Sequence, residues 1–389
     1  MRLKKVFQIG RVKKFMKVLH INRNYITSAL HQIMVEHLEK LDIVNQVLVP
    51  TNDISNSIII PNPNVCVKEC FDNKDRYLFD LKQKKIQRAL ESCINISEFD
   101  CLHAYTLFTD GNCAMNLSKK YGTPYIVAVR NTDVNDFLKK IPFLRRRGIK
   151  IMENASAICF LSDSYRKQVF EYYVPKSRRR ALLRKSCIIP NGIDDFWHEN
   201  QFMKKNITET MERFRRKQIR VLYVGNIDKN KNIEETCTAL AILEKYGWSV
   251  NFTVVGKIVD KSEFDKIKGK ITYIQAKPKE ELIKIYRSAD IFVMPSHTET
   301  FGLVYAEAMS QGLPVIYTRG QGFDNHFNDG VVGYAVSDSD PNELAEKILC
   351  CIEKYDELNK NCIKNSDRFS WKILCDKYVN IYKRITCKE

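Results

Sequence analysis

No stretch of this chain approaches the run of about 20 consecutive apolar residues that a membrane-spanning helix needs, so a membrane-embedded helical protein is excluded as a class. The basic N-terminus, MRLKKVFQIGRVKKF, interrupts its apolar residues with charge throughout and lacks the form of a secretory signal. Paired C-x-x-C motifs are also missing. The thirteen cysteines are odd in number and scattered: Cys66 and Cys70 have no matching second pair, and Cys350 and Cys351 are adjacent. Neither a disulfide framework nor a zinc site fits that distribution, which suits a reducing cytoplasm. No G-x-G-x-x-G follows the first apolar run, no D-x-D closes a strand, and no nucleic-acid module is visible.

What remains is an ordinary globular composition, 389 residues with 44% hydrophobic and 28% charged, long enough for two cores. The net charge of +17 is uneven. The first 200 residues hold 33 Lys/Arg against 20 Asp/Glu, and the rest 30 against 26, so the basic character belongs to the N-terminal half. Two clusters concentrate it: FLKKIPFLRRRGIKI at 137–151, with apolar residues between the cations, and SRRRALLRK at 177–185. Solvated surface is one reading of such runs, and contact with an anionic membrane face is the other.

From Met16 onward, short apolar runs alternate with helical stretches. VLHI is followed by a helix over about Ser28 to Lys40, then by VLVP and SIIIP. In the second half, the strand at 220–224 ends at Gly225, and FTVVG, ITYIQA and the helix KEELIKIYRSA follow. This alternation predicts parallel sheets covered by helices on both faces. Residues 1–15 precede the first strand and stand outside the fold.

The most informative stretch is ADIFVMPSHTETFGLVYAEAMSQGLP, residues 289–314. It predicts a buried strand over Ile291 to Met294, a polar loop from Ser296 to Thr300, a helix from about Gly302 to Gln311, and Gly312 as the residue that ends it. Glu299 then precedes the helix and Glu307 lies inside it, more than a turn deeper. The unpaired amides of Gly302, Leu303 and Val304 at a helix N-terminus suit a pyrophosphate. A carboxylate within the helix can accept from both ribose hydroxyls, and one in the loop can meet the hydroxyls of a sugar on the diphosphate. The plain alternative is a solvated helix face with two unrelated glutamates.

The pattern S-x-x-E-x-F-G-L-x-x-x-E-A-M-x-x-G-x-P-V resembles the E-x7-E signature of the family 4 retaining glycosyltransferases of GT-B fold. That resemblance implies two Rossmann-like α/β domains with parallel sheets facing across a cleft. The N-terminal, acceptor-side domain would cover 16–195 and the nucleotide-sugar-binding domain 196–369. FSWKILCDKYVNIYKRI, within 370–389, would be a terminal helix crossing back to the first domain. The element CIIPNGIDDFW at 187–197 resembles the family's P-N-G-x-D passage between the two halves.

Further correspondences follow residue by residue. Arg130 and Asp133 stand where many relatives have a histidine followed by Gly-x-Asp, and are read as catalytic cleft residues on the acceptor side. The alternative is an Arg–Asp pair that ties off a strand end, and His103 is as readily structural as functional. Gly225 and Lys231 match the family's Gly-Arg-Leu and Lys-Gly elements, whereas Asn226 and Asn232 replace the arginine and the second glycine. Lys229 is the candidate to supply the missing cation. Thr300, Phe301, Gly322 and Phe323 complete the expected donor contacts, with Asp324 beside them in a loop over the sugar. Asp338-Ser339-Asp340 has the form of a metal motif from another glycosyltransferase fold, but Asp340, Pro341 and Glu343 read better as a helix cap.

The implied reaction transfers a sugar from a nucleotide-sugar, a UDP-sugar, to a hydroxyl of a glycan or lipid-linked acceptor in surface polysaccharide or glycolipid synthesis. Glu299 and Lys231 would be catalytic, Glu307 would hold the nucleotide, and no metal or cofactor is expected. No nucleic-acid partner is expected either, and the place of work would be the cytoplasm or the inner face of the cytoplasmic membrane. Two other readings share these residues: a sugar-nucleotide epimerase or phosphorylase, and a non-catalytic nucleotide-sugar-binding subunit.

Overall fold

A parallel β-strand pair needs a crossover of a dozen or more residues, normally a helix, and that connection is right-handed almost without exception. The apolar runs of this chain are spaced to allow it. The computed structural model describes residues 15–54, 62–72, 74–77, 79–203 and 207–387. Residues 1–14, most of the expected N-terminal extension, and the run SIIIP at 57–61 lie outside them.

Seven strands build the first sheet: β1 (Met16–Ile21), β2 (Ile43–Thr51), β3 (Val65–Glu69), β4 (Cys101–Ala104), β5 (Tyr125–Val129), β6 (Ala157–Phe160) and β7 (Ser186–Ile188), in the order β3-β2-β1-β4-β5-β6-β7. Six build the second: β8 (Gln218–Val224), β9 (Ser249–Gly256), β10 (Thr272–Gln275), β11 (Ile291–Met294), β12 (Val315–Thr318) and β13 (Gly333–Val336), ordered β10-β9-β8-β11-β12-β13. Every pairing is parallel. Each sheet reverses direction between its first and fourth strands, β1/β4 and β8/β11. Such a point leaves a crevice at the carboxyl ends where open α/β sheets bind ligands.

Strands β4, β5, β6, β11 and β12, inside their sheets, and the edge strand β13 are buried along their whole length, as sheets covered on both faces require. The expected helix after β1 forms at Ala29–Glu39, and the expected cap at Asp340 accepts the amides of Asn342 and Glu343 at 3.0 Å each.

The last helix, Trp371–Thr386, packs on the first sheet although it follows the second in sequence. Its Trp371, Leu374, Tyr378 and Tyr382 share a core with Val18, Met34, Leu38 and Ile126. Tyr382 also answers the question of His103, since its hydroxyl lies 2.7 Å from His103 Nδ1 inside that buried cluster. His103 is therefore a structural histidine, kept neutral by burial, which lowers its pKa well below the usual value. The helix is tied to the link between halves where Ile193 pairs with Ser370 and its N–H donates to Phe369 O at 3.0 Å. Gly192 sits so close to Trp371 that a Cβ there would lie 2.5 Å from the indole.

Trp371 is 2% exposed and locks this crossing. Trp371→Ala is expected to cost about 3–5 kcal/mol through the cavity it leaves, read as a lower urea midpoint, whereas a side chain that contributed nothing to the crossing would leave the midpoint unchanged.

Candidate functional site

Strand β8 ends at Val224 and turns through Gly225, whose φ of 154° precedes a loop tied by the Tyr223 hydroxyl to Asn226 O at 2.6 Å. Its neighbour β11 ends at Met294, and the chain then loops through 295–302 before entering the Leu303–Ser310 helix. Gly302 caps that helix at φ 73°, a left-handed conformation that glycine adopts freely. A Cβ at this point would lie 2.5 Å from the Tyr305 ring. Tyr305 in turn donates its hydroxyl to Met294 O at 2.5 Å, so the helix start is pinned to the strand end.

These elements line one cavity of about 390 Å³, bounded by Asn191, Val224, Gly225, Asn226, Lys231, Met294, Glu299, Thr300, Phe301, Gly302, Leu303 and Val304. Lys231 Nζ donates to Glu299 Oε2 at 2.7 Å, and the other oxygen, Oε1, accepts the Thr300 N–H at 3.0 Å. The Glu299 backbone is held from the far side: its N–H donates to Gln321 Oε1 at 3.0 Å and its carbonyl accepts from Gly322 N at 2.8 Å. Asn230 adds a two-point clamp on Thr298, 2.9 Å to its carbonyl and 3.0 Å from its N–H. The loop is thus preorganised, with a cation, a carboxylate and the amide-rich start of a helix facing one space. That combination can hold a diphosphate and a hydroxylated group attached to it.

Glu307 does not line this cavity. It lies four residues beyond Leu303 and three beyond Val304, on the helix face they share, and accepts the Tyr286 hydroxyl at 3.1 Å on Oε2. Burial pushes its carboxyl up to about 7, Asp194 adding to the rise while the Tyr286 hydrogen bond opposes it.

Other expected residues fall differently. Phe323 is 1% exposed, within an aromatic cluster with Phe301, Tyr305, Tyr317 and Phe369. Its side chain packs behind the loop. Gly322 acts through its backbone, its Cα packed against Thr300 O. Asp133 is 2% exposed, and its oxygens accept the N–H groups of Leu107, Phe108 and Arg130 at 2.9–3.3 Å. It ties the segment after β4 to the end of β5. Arg130 stands closer to the cavity, donating to Asn191 Oδ1 at 2.7 Å and to Tyr105 O at 3.3 Å. Lys229 is exposed and outside the lining, so it does not replace the cation missing at Asn226.

The other departure is resolved locally. Asn232 takes φ 54° and ψ 40°, the left-handed conformation expected of a glycine, which asparagine tolerates better than most residues. Its amide also bonds Pro295 O at 3.1 Å and Asp338 O at 2.8 Å. Sequence reasoning missed Asn191 as a lining residue and Asn230 and Gln321 as supports. The P-N-G turn marked the first, but nothing local marked the other two, whose partners are 68 and 22 residues away. Among the described residues no group of three or more His, Cys, Asp or Glu is placed to hold a metal ion.

Two all-parallel, doubly wound halves facing across a cleft, with a terminal helix returning to the first, define the two-domain GT-B fold. Residues 205–369 match the family model described as glycosyl transferases group 1. Among curated proteins, the D-inositol 3-phosphate glycosyltransferase of Paenarthrobacter aurescens is 22% identical over 341 residues, covering 80% of this chain and 81% of the relative. The capsular polysaccharide biosynthesis glycosyltransferase CapM of Staphylococcus aureus is 26% identical over 239 residues, 59% of this chain and 61% of its own. Among solved structures, a sucrose-phosphate synthase from Thermosynechococcus elongatus superposes with a TM-score of 0.72 at 18% identity, over 95% of this chain and 99% of that one. Anabaena HepE in complex with UDP and glucose does so with a TM-score of 0.65 at 15% identity, over 94% and 98%. The structural likeness is one of fold.

Glu307, half-buried and bonded to Tyr286, makes a pH test. The folded protein retains this proton to about pH 7, while an unfolded chain releases it near 4.5. The resulting stability is full below the lower value and is lost as pH rises through the upper one. Glu307→Gln, which stays neutral, is therefore expected to gain on the wild type by up to about 3 kcal/mol between pH 5 and pH 8. Thermal melts across that range check it, and parallel curves for the two proteins would count against a protonated Glu307.

Proposed function

We propose that this chain is a retaining glycosyltransferase that moves a sugar from a UDP-sugar to a hydroxyl of a glycan or lipid-linked acceptor. The observation that carries the reading is the convergence of Lys231, Glu299 and the start of the Leu303–Ser310 helix on one cavity. The family match over the same residues and the named activities of the relatives support it.

In this mechanism the diphosphate sits on the amides of Gly302 to Val304 with Lys231 beside it, and both stabilise the charge that develops on it. Glu299 orients the sugar hydroxyls, and Glu307, half-buried one turn beyond the lining residues Leu303 and Val304, accepts from a ribose that extends past the cavity along that helix face. The bond from the anomeric carbon to the diphosphate oxygen breaks as the bond to the acceptor oxygen forms on the same face. The acceptor proton passes to an oxygen of the departing diphosphate. Positioning and charge stabilisation do the catalysis, and no metal is required.

Calorimetry with UDP is the direct test: Glu307→Ala is expected to weaken binding by about tenfold or more, and unchanged affinity would refute the assignment. Lys231→Ala is expected to slow turnover of a UDP-sugar by about 100-fold or more. Activity should persist in EDTA. Complete loss on chelation, restored by Mg²⁺ or Mn²⁺, would overturn the metal-free site.

The CapM relationship favours a surface glycan as product, and the basic half favours work at an anionic membrane face. The two basic clusters lie near each other: Arg178 pairs at 2.9 Å with Glu153, just past the first cluster, and Arg145 stands over the ring of Tyr173, just before the second. Arg145 and Arg147 are engaged internally, with Leu138 O at 2.7 Å and Asp80 at 2.7 Å respectively. Arg146 and Arg180 are exposed, as are Phe143, Tyr172 and Leu183. Sedimentation with anionic but not neutral vesicles is expected, falling with salt and in a Phe143→Ser, Arg146→Gln, Arg180→Gln variant. Equal, negligible sedimentation with both lipids would exclude membrane binding.

A further inference from the structure

A pocket of about 350 Å³ at the junction of the two halves takes no part in the steps above. Its walls come from three places: Asp163 and Arg166 on the first-half helix Asp163–Tyr172, Asn325 and His326 after β12, and Arg368 and Lys377 on either side of the start of the crossing helix. Pro190 closes it, and the next residue, Asn191, lines the cavity of Lys231 and Glu299.

Three cations and one carboxylate are among its described lining residues, and the carboxylate is already taken. Asp163 accepts from Arg166 and, at 2.9 Å, from Lys167. Arg368 donates to a neutral carbonyl, His326 O, at 3.3 Å and stands 4.8 Å from the centroid of the Phe327 ring. The Lys377 side chain reaches solvent, yet loss of hydration lowers its ammonium below the usual value, Arg368 adds to the drop, and the Cys187 thiol alone opposes it. Among the described residues no carboxylate pairs with Arg368 or Lys377. Two neighbouring cations with only a carbonyl and a thiol to meet repel each other, and an anion between them removes that cost. The planar fork of arginine suits a phosphate in particular.

The pocket is also joined to the rest of the site. Its floor, His326 and Phe369, packs on Phe301 at 5.4 and 5.1 Å between ring centroids, and Phe301 lines the cavity of Lys231 and Glu299. The segment that carries His326 reaches both ways. Asn325 donates its amide to Ser164 Oγ of the first half at 3.0 Å, and that hydroxyl donates to Asp324 O at 3.1 Å. Gln321 and Gly322 of the same segment hold the backbone of Glu299.

We propose that this junction pocket is an effector site for a phosphate-bearing anion, held between Arg368 and Lys377 with Arg166 completing the shell, and that its occupancy tightens nucleotide binding in the cavity on the other side of Phe301. The bound anion ties a first-half helix to the crossing helix and fixes the segment that supports Glu299, so part of the ordering that a nucleotide requires is already done when it arrives. The anion site stands apart from the glycosyltransferase reading, and only its coupling to UDP rests on that reading.

The test is calorimetry on the full chain saturated with UDP, which fills the second-half cavity, with inorganic phosphate and glycerol 3-phosphate as probes and potassium chloride at equal ionic strength as the control. Saturable binding of a phosphate is expected and none of chloride. Arg368→Gln and Lys377→Gln are each expected to weaken it by about fivefold or more, with thermal melts in phosphate-free buffer as the check that both variants are folded. Tighter binding of inorganic phosphate assigns the free ion as effector, and tighter binding of glycerol 3-phosphate assigns an ester. Absence of binding by both probes at millimolar concentration, or binding indifferent to both substitutions, would overturn the site. The coupling is read by titrating UDP into the wild type and the double variant, with and without millimolar phosphate, because competition for the second-half cavity is common to both proteins. In phosphate the wild type is expected to bind UDP about fivefold or more tightly than the double variant, and without phosphate equally. Equal affinities in both buffers would overturn the coupling. Failure of the wild type to bind UDP at all would count against the glycosyltransferase reading, and titrating phosphate into the free protein then decides the anion site alone.

Discussion

Every strand in both sheets runs parallel to its neighbours, and the rest of the molecule depends on that constraint. Parallel pairing sends each connection back across a face, so all the segments that follow strands begin on the same edge. The second-half cavity is assembled there from the ends of β8 and β11, and the first-half cavity from the ends of β1, β2, β4 and β5. Both cavities follow from topology before any particular side chain is considered. Side chains then decide what each cavity accepts.

Charge is balanced differently in the two. In the second-half cavity Lys231, the one cation among the described lining residues, is already matched by Glu299 at 2.7 Å, so an arriving anion must share it. The amides at the helix start supply the remaining positive potential without adding a formal charge. This limits the effect of having Asn226 where an arginine is expected. In the first-half cavity Arg23 bonds the Asn52 amide at 3.1 Å and acts on the buried Asp110, while Asp136 is paired with Lys140.

Buried ionisable groups mark the structural supports of these edges. Burial pushes Asp133 up to about 6 and Asp110 up to about 7, although backbone amides oppose the shift in the first and the Thr106 hydroxyl in the second. Asp133 gathers the amides of Leu107 and Phe108 after β4 and of Arg130 at the end of β5. The crossing helix has a comparable role at larger scale, since Trp371 closes on Gly192 and fixes where the second half begins.

The sequence by itself determined the strand–helix alternation, the exact span of β11, the turn at Gly302 and the cap at Asp340, because each rests on local periodicity or on a residue with one favoured backbone conformation. It also brought Glu299, Lys231 and the helix start within view, since a motif records chemistry at short range. Only the tertiary structure decided which residues face the cavity. Phe323 and Asp133 look alike in sequence to cleft residues, yet packing buries the first among aromatics and backbone amides consume the second. The supports at Asn230 and Gln321 join residues 68 and 22 positions apart, and no local pattern encodes a contact that exists only once the strands stand side by side.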